Sequence, residues 1–219
     1  MNIVGSLWLL VAAVSCTTVP SSPTAREATS KTYDASIGTN GVVTIAVNWG
    51  RRWGCGSYEN AQIVSLGFDR ISTTGLPKDG ESEVRLNAPG GRLFVHPIFL
   101  DYAILLEPGE YALTSFDLKV ARSVNDVGHF IAKRSDLIEN GKPKAGSFEV
   151  KAGEVVYIGN FWLDCQDQPM LWRYYTEGRE GFKKHMAEVN RKYPFIDPQK
   201  ITFRLFRTEL MGSDYDLPR

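Results

Sequence analysis

The sequence EVVYIGNFWLD, from Glu154 to Asp164, carries the strongest β-strand signal in this chain of 219 residues. It is rich in β-branched and aromatic side chains, which pack well on the pleated surface of a sheet. Its apolar residues occupy both faces of an alternating strand: Val155, Tyr157, Phe161 and Leu163 on one, and Val156, Ile158 and Trp162 on the other. This two-sided pattern predicts a central strand that is covered on both faces.

Further strand-like segments, divided by turn residues, lie on both sides of this stretch. They are Val42–Val47, Gln62–Ile71, Arg92–Phe99, Tyr102–Leu106, Glu110–Val120, Ser147–Val150 and Lys200–Leu210. Pro97 interrupts one of them, which favours an edge strand or a bulge there because proline cannot donate to a β-ladder. The regular spacing of short strands predicts a mainly β fold, an antiparallel sandwich or a barrel, over residues 37–210.

One helix is predicted near the C-terminus, from Gly178 to Tyr193. Apolar residues recur there at the spacing of one helix face, at Phe182, Met186, Val189 and Tyr193. Pro194 follows directly and ends the helix, since proline cannot continue it. Residues 211–219 are predicted to form a polar tail.

The N-terminus has the features of a secretory signal. Gly5 to Ser15 is an apolar run of about eleven residues, too short to span a bilayer, which needs roughly 20. The next residues, Ala13-Val14-Ser15-Cys16, resemble the lipobox of bacterial lipoproteins. This resemblance implies a signal peptide over residues 1–15, cleavage before Cys16 and lipid attachment to its thiol. The alternative is a soluble protein with a buried hydrophobic strand at its N-terminus.

Residues 16–36 are predicted to be the lipidated cysteine and a flexible linker. The segment Thr17–Thr32 is rich in Ser, Thr, Pro and Ala, a composition that cannot form a core. The lipoprotein resemblance implies a location in the cell envelope. Because Thr17 stands where Asp would retain the protein at the inner membrane, it implies the outer membrane, facing the periplasm.

The chain has three cysteines, so Cys55 and Cys165 remain if Cys16 carries lipid. In an oxidising periplasm two such cysteines usually pair, and we predict a structural disulfide between them. The alternatives are a reactive thiol or a cysteine-based metal site. Since the sequence has no CxxC motif and its three histidines are scattered, we expect no metal and no cofactor.

The charges balance, with 25 basic and 25 acidic side chains. A nucleic-acid partner normally requires a basic surface, so we expect no nucleic acid. The membrane partner is instead expected through the N-terminal lipid.

Two stretches, LLEPGEYALTSF (Leu105 to Phe116) and FEVKAGEVVYIGNF (Phe148 to Phe161), resemble uncharacterised bacterial lipoprotein families. These are domains of unknown function with a transthyretin-like or immunoglobulin-like β-sandwich. The resemblance covers about half of the folded part and implies an antiparallel β-sandwich of that type with one C-terminal helix. Both motifs are structural, so no catalytic residue carries over from them.

A candidate recognition loop lies in NWGRRWGCGSY, from Asn48 to Tyr58. Arg and Trp are the residue types that most often anchor interfaces, and Arg also grips carboxylates and phosphates. The candidate binding residues are Trp49, Arg51, Arg52 and Trp53, with Trp172 and Arg173 from a second stretch of the same chemistry. The alternative is an aromatic lid packed around a Cys55–Cys165 bridge.

Catalytic signatures are missing from the sequence. It has no GxSxG, no HExxH and no phosphate-binding GxxxxGK[ST] motif. We therefore expect a non-enzymatic binding or assembly module of the cell envelope, with an envelope protein or a cell-wall polymer as partner. The alternatives are a structural envelope protein without a small ligand and a cell-envelope hydrolase with an unrecognised active site.

Overall fold

The computed structural model describes residues 27–71, 82–89, 96–174 and 178–204. The fold is mainly β, as predicted. The described strands are β1 (Gly41–Asn48), β2 (Arg52–Cys55), β3 (Tyr58–Ile71), β4 (Val84–Asn87), β5 (Phe99–Leu106), β6 (Gly109–Ser123), β7 (Asp126–Ala132), β8 (Ile138–Glu139), β9 (Lys142–Pro143), β10 (Ser147–Val150), β11 (Val155–Asp164), β12 (Met170–Tyr174) and β13 (Ile201–Phe203). The predicted signal peptide, Cys16, most of the final strand and the 211–219 tail lie outside the described residues.

Two large sheets contain most of these strands. Sheet I has the order β12-β11-β1-β5, and β13 pairs with the first half of β11. Sheet II has the order β10-β6-β3-β2, with β4 also on β3 and β7 also on β6. The short strands β8 and β9 form a separate hairpin.

The expectation of a wholly antiparallel arrangement is wrong for sheet I. Strand β11 runs parallel to β1 on one side and parallel to β13 on the other. Turn residues in a sequence reveal hairpins, and hairpins always join antiparallel strands. Strands β1 and β11 are instead separated by the 106 residues between Asn48 and Val155, so no local turn signal reports their relative direction.

The central position of β11 is confirmed. Val156, Tyr157, Ile158 and Phe161 are all buried. Tyr157 contacts the helix predicted near the C-terminus, with its ring centroid 5.6 Å from that of Phe182. Phe161 instead packs edge-on against Phe68 of sheet II, at 6.0 Å between centroids. Tyr157 and Phe161 thus lie on opposite faces and not on one face as predicted, because the β1–β11 register shifts between Tyr157 and Asn160. The strand lies between a helix and the second sheet, and the two sheets share one apolar core.

The described helices are α1 (Ser30–Ser36), α2 (Arg134–Leu137) and α3 (Gly178–Lys192), with a 3-10 turn over Pro198–Lys200. Helix α3 matches the prediction to within one residue at its end, and Val189 in the helix and Tyr193 directly after it are buried. The single-helix prediction is corrected by the presence of α1 and α2.

Helix α1 also corrects the predicted end of the flexible linker. Thr29 caps it, because its hydroxyl accepts a hydrogen bond from the amide of Thr32. Ala28 is buried, and Tyr33 lies 5.4 Å from Phe195 between ring centroids. Since residues 28–36 gain a cap and core contacts, this part of the predicted linker belongs to the folded domain.

The disulfide between Cys55 and Cys165 is present, as predicted. It joins β2 of sheet II to the end of β11 in sheet I. Beside it, the Gly56 amide donates to the carbonyl of Cys165. Gly56 has a positive φ of 60°, and a Cβ on it would lie 2.3 Å from the carbonyl oxygen of Asp167. Only glycine fits this tight corner.

Candidate binding groove on sheet II

A surface groove lies where four strands of sheet II run side by side. In the register of these strands, Trp53 of β2 is opposite Asn60 of β3, Asn60 is opposite Ala121 of β6, and Ala121 is opposite Val127 of β7. One row of side chains therefore crosses the sheet on its outward face. The alternating positions Leu118 and Val120 lie in the core instead.

The groove has a volume of about 240 Å³. It is open to the surface, and its wall is about equally polar and apolar. Its lining comes from Arg51, Trp53, Glu59, Asn60, Lys119, Ala121, Ser123, Val124 and Val127. An indole, two cations and an amide therefore converge in one concave surface.

Trp53 is the largest apolar group of this groove, and 51% of it is exposed. The guanidinium carbon of Arg51 lies 5.3 Å from the centroid of a Trp53 ring, within cation–π range. This contact holds the two side chains together and presents a flat apolar ring beside a positive charge.

The charge balance in the groove is positive. Arg51 and Lys119 contribute two cations, and Glu59 contributes one carboxylate. At its margin, His129 is hydrogen-bonded to Asp117 at 2.7 Å, and the Arg122 guanidinium lies 3.7 Å from the Asp126 carboxylate. Among the side chains that line the groove itself, the cations exceed the carboxylates by one.

Two predicted binding residues are corrected, because the structure buries them. Trp49 is fully buried, and its indole N–H donates to the hydroxyl of Tyr102 at 2.7 Å. Arg173 is also fully buried, and in β12 it lies opposite Phe161 of the core strand. Neither side chain is available at the surface, so both belong to the interior of the domain.

The remaining predicted residues fall into two places. Arg51 and Trp53 line the groove, as described. Arg52 instead stacks on Trp162, with its guanidinium carbon 5.3 Å from the ring centroid. Trp162 is directly opposite half-buried Trp172 in the β11–β12 register. The two Trp-Arg stretches are thus connected through Trp162.

Sequence reasoning missed the part of the groove that β6 and β7 supply. Lys119, Ala121 and Ser123 line it from alternate positions of β6. The signal in the sequence is Lys119, which alternates with the apolar Leu118 and Val120 and therefore lies on the other face of the strand. Ala121 and Ser123 lie beyond the predicted end of that strand, Val120. Val127 comes from β7, a segment that is not among the strands predicted from the sequence.

A polar cluster fixes the first described residues to α3. The Lys192 ammonium contacts the Glu27 carboxylate at 2.9 Å and donates to the carbonyl of Asp101 at 2.6 Å. The Tyr193 hydroxyl also donates to Glu27. Burial raises the pKa of Glu27, but the hydrogen bonds from Tyr193 and Lys192 outweigh it and hold that pKa below its ordinary value.

A buried ion pair joins α2 to sheet II. Arg134 Nε lies 2.7 Å from Asp69 Oδ2; the Asp69 side chain is buried and the Arg134 side chain is 11% exposed. The other oxygen of Asp69 accepts from the amide of Glu83 at 2.7 Å, and the Thr114 hydroxyl donates to Oδ2. This saturated carboxylate has a structural role.

Three further observations bear on function. Within the described ranges, no group of three or more His, Cys, Asp and Glu side chains is placed to hold a metal ion. No helix in this part of the chain is long and apolar enough to cross a bilayer. Comparison with protein-family models, curated proteins and solved structures finds no match to this chain.

Proposed function

We propose that this chain is a membrane-anchored lipoprotein of the cell envelope, tethered through Cys16, whose β domain is a non-enzymatic binding module. The tether, the signal peptide over residues 1–15 and the outer-membrane location facing the periplasm rest on the lipobox-like sequence. The binding role rests on the half-exposed Trp53 in its groove. Tryptophan is among the residues that most often dominate binding energy when a partner covers them.

We further propose that the domain is a sandwich of the immunoglobulin or transthyretin type. The shared core of the two sheets supports this assignment. So does Tyr111 at the start of β6, whose hydroxyl donates to the carbonyl of Glu107 at 3.0 Å. A tyrosine that bonds back to the backbone a few residues upstream is a recurrent corner of immunoglobulin-like domains.

The ligand class that best fits the groove is an acidic glycan, such as an anionic cell-wall polymer. The flat face of Trp53 can pack against the apolar face of a sugar ring, since indole has a large apolar surface. The Arg51 guanidinium, which lies over one face of that ring, can pair with a carboxylate or phosphate of a ligand on the other face or beside it. Lys119 and Asn60 supply a second charge and a neutral hydrogen-bonding amide.

Affinity electrophoresis of the purified full chain tests this proposal. The gels contain either polygalacturonate, an acidic glycan, or dextran, a neutral one. We expect retardation by polygalacturonate that weakens with added salt, because exposed charges are screened. Trp53→Ala should weaken binding by roughly 2 kcal/mol, or about thirty-fold in Kd, as expected for loss of a central aromatic anchor.

Met170→Ala is the matched control. Met170 is an exposed apolar residue of β12 in sheet I and does not line the groove. The Met170→Ala substitution should leave the mobility in both gels equal to that of the wild type. Equal retardation of the wild type and the Trp53→Ala variant would contradict a site in this groove. Retardation by dextran as strong as by polygalacturonate would contradict an acidic ligand.

A further inference from the structure

Strand β7 is an edge strand that lacks the usual protection of a sheet edge. It pairs with β6, and no other described strand pairs with it. Natural edge strands are commonly blunted by an inward Lys, a proline or a bulge in mid-strand. Between Asp126 and Ala132, β7 reads DVGHFIA, with neither Lys nor Pro.

Large apolar side chains of this strand are exposed on both of its faces. Val127 is 47% exposed and Ile131 is 59% exposed, and both lie on the groove face. Phe130 lies on the other face and is 38% exposed. An exposed edge with large apolar side chains is a template for pairing with another strand.

We propose that the occupant of this edge is β7 of a second copy of the chain, paired antiparallel about a two-fold axis. A two-fold axis perpendicular to the sheet brings identical strands together antiparallel and makes each contact occur twice. The register that uses all seven residues places His129 opposite His129 of the second copy. Every other pair in the interface is then fixed.

In this register the strand is complementary to itself. Val127 is opposite Ile131 of the second copy on the groove face, so the two exposed aliphatic side chains cover each other. On the opposite face, Gly128 is opposite Phe130 of the second copy. A Cβ on Gly128 would meet only Val120, at 3.9 Å, so space exists above this glycine for a phenyl ring.

The charges also fit this arrangement. The strand begins at Asp126, and Lys133 follows its last residue. Antiparallel pairing therefore brings the acidic end of each strand to the basic end of the other, and His129 is the one titratable side chain of the strand between these ends. A seven-residue strand pair buries less than the roughly 800 Å² per partner of a typical stable interface. We therefore expect a dimer that forms at high protein concentration.

The pairing has a consequence for the groove, and this consequence alone rests on the proposed function. The two-fold axis leaves both grooves on the same face of one continuous sheet. Seven strand spacings separate the two β2 strands, or roughly 34 Å across the sheet. A polymeric ligand could then contact both grooves at once and bind more tightly than at either alone.

Thiol cross-linking of the purified full chain tests the pairing. In the His129→Cys variant, the proposed axis brings the two new thiols to adjacent positions, so mild oxidation should give a dimer on a non-reducing gel. Val124→Cys is the matched control, since Val124 is 90% exposed in the neighbouring turn but lies far from its own copy in this register. Cys16 is present in all variants, so the dimer band of the wild type measures the background of cross-linking that does not involve the new cysteine.

The expected result is a dimer band for His129→Cys that grows with protein concentration and is absent from Val124→Cys. Adding Ile131→Lys should remove the band, because a lysine on the edge opposes pairing. Equal bands for the two cysteine variants, or no band for His129→Cys with the native disulfide intact, would overturn the proposal. Adding Trp53→Ala should not change the band, so failure of glycan binding and failure of pairing are distinguishable.

Discussion

Breaking the Cys55–Cys165 bridge should remove a large part of the stability of the domain. The bridge closes a loop of 110 residues. Such a loop restricts the unfolded chain strongly, and the chain-entropy relation gives about 5 kcal/mol at 25 °C for this length. Since domains are usually stable by roughly 5–15 kcal/mol, the reduced protein should lie close to its unfolding threshold.

The assay is urea denaturation followed by tryptophan fluorescence, with and without a reductant. Reduction leaves both sulfur atoms in the core, so it removes the cross-link without opening a cavity beside buried Cys55. We expect the free energy of unfolding to fall by about 5 kcal/mol and the melting temperature by roughly 10–20 °C. The dependence on urea should become steeper, because an uncross-linked unfolded chain exposes more surface.

The double variant Cys55→Ala/Cys165→Ala is the control for the reductant itself. It should match the reduced wild type within the small cost of the lost sulfur atoms, and the reductant should not change it further. If thiol titration shows complete reduction and the free energy of unfolding falls by less than about 1 kcal/mol, the entropic reasoning is refuted.

Two other contacts give further predictions. Arg134→Ala should lower the free energy of unfolding by about 3–5 kcal/mol, because it leaves the Asp69 carboxylate buried without its cation. The control in the same urea assay is Arg191→Ala, at an exposed position of α3. Because the folded-state pKa of Glu27 lies below its ordinary value of 4.5, its stabilising effect is present above that pH and is lost as the pH falls through the folded pKa. In a series of unfolding curves across this pH range, Tyr193→Phe should make the loss at low pH smaller.

Either prediction can fail clearly. An Arg134→Ala variant as stable as the Arg191→Ala control would mean that the buried pair contributes nothing beyond an exposed one. Wild-type and Tyr193→Phe proteins with identical pH dependence would show that the Tyr193 hydroxyl does not stabilise the ionised Glu27 carboxylate.

The sequence was most informative where its pattern is local. The two-sided apolarity of β11 and the helical stripe of α3 each report burial directly, since side-chain period follows backbone geometry. The disulfide also followed from counting cysteines. The parallel pairing of β1 with β11 could not be predicted, because contacts between distant segments leave no mark on turn residues.

The candidate site could be predicted only in part. The loop that carries Arg51 and Trp53 was identified from residue type, but composition does not distinguish a surface Trp from a buried one. Trp49 follows β1 of sheet I and is buried against Tyr102, whereas Trp53 lies in β2 of sheet II and is half exposed. The far wall of the groove escaped detection because Val127 lies in a short edge strand with no buried face, and such a strand has no apolar alternation to reveal it.

The position of Glu27 gives the domain a direction. The first described residues join the protein at β5 and α3, on the side of sheet I, whereas Trp53 lies on the outward face of sheet II. Sheets stack about 10 Å apart, and a packed helix layer adds roughly 10 Å more. A membrane tether attached at residue 27 would therefore join the domain on the side away from the groove, which leaves the groove side open to a long ligand.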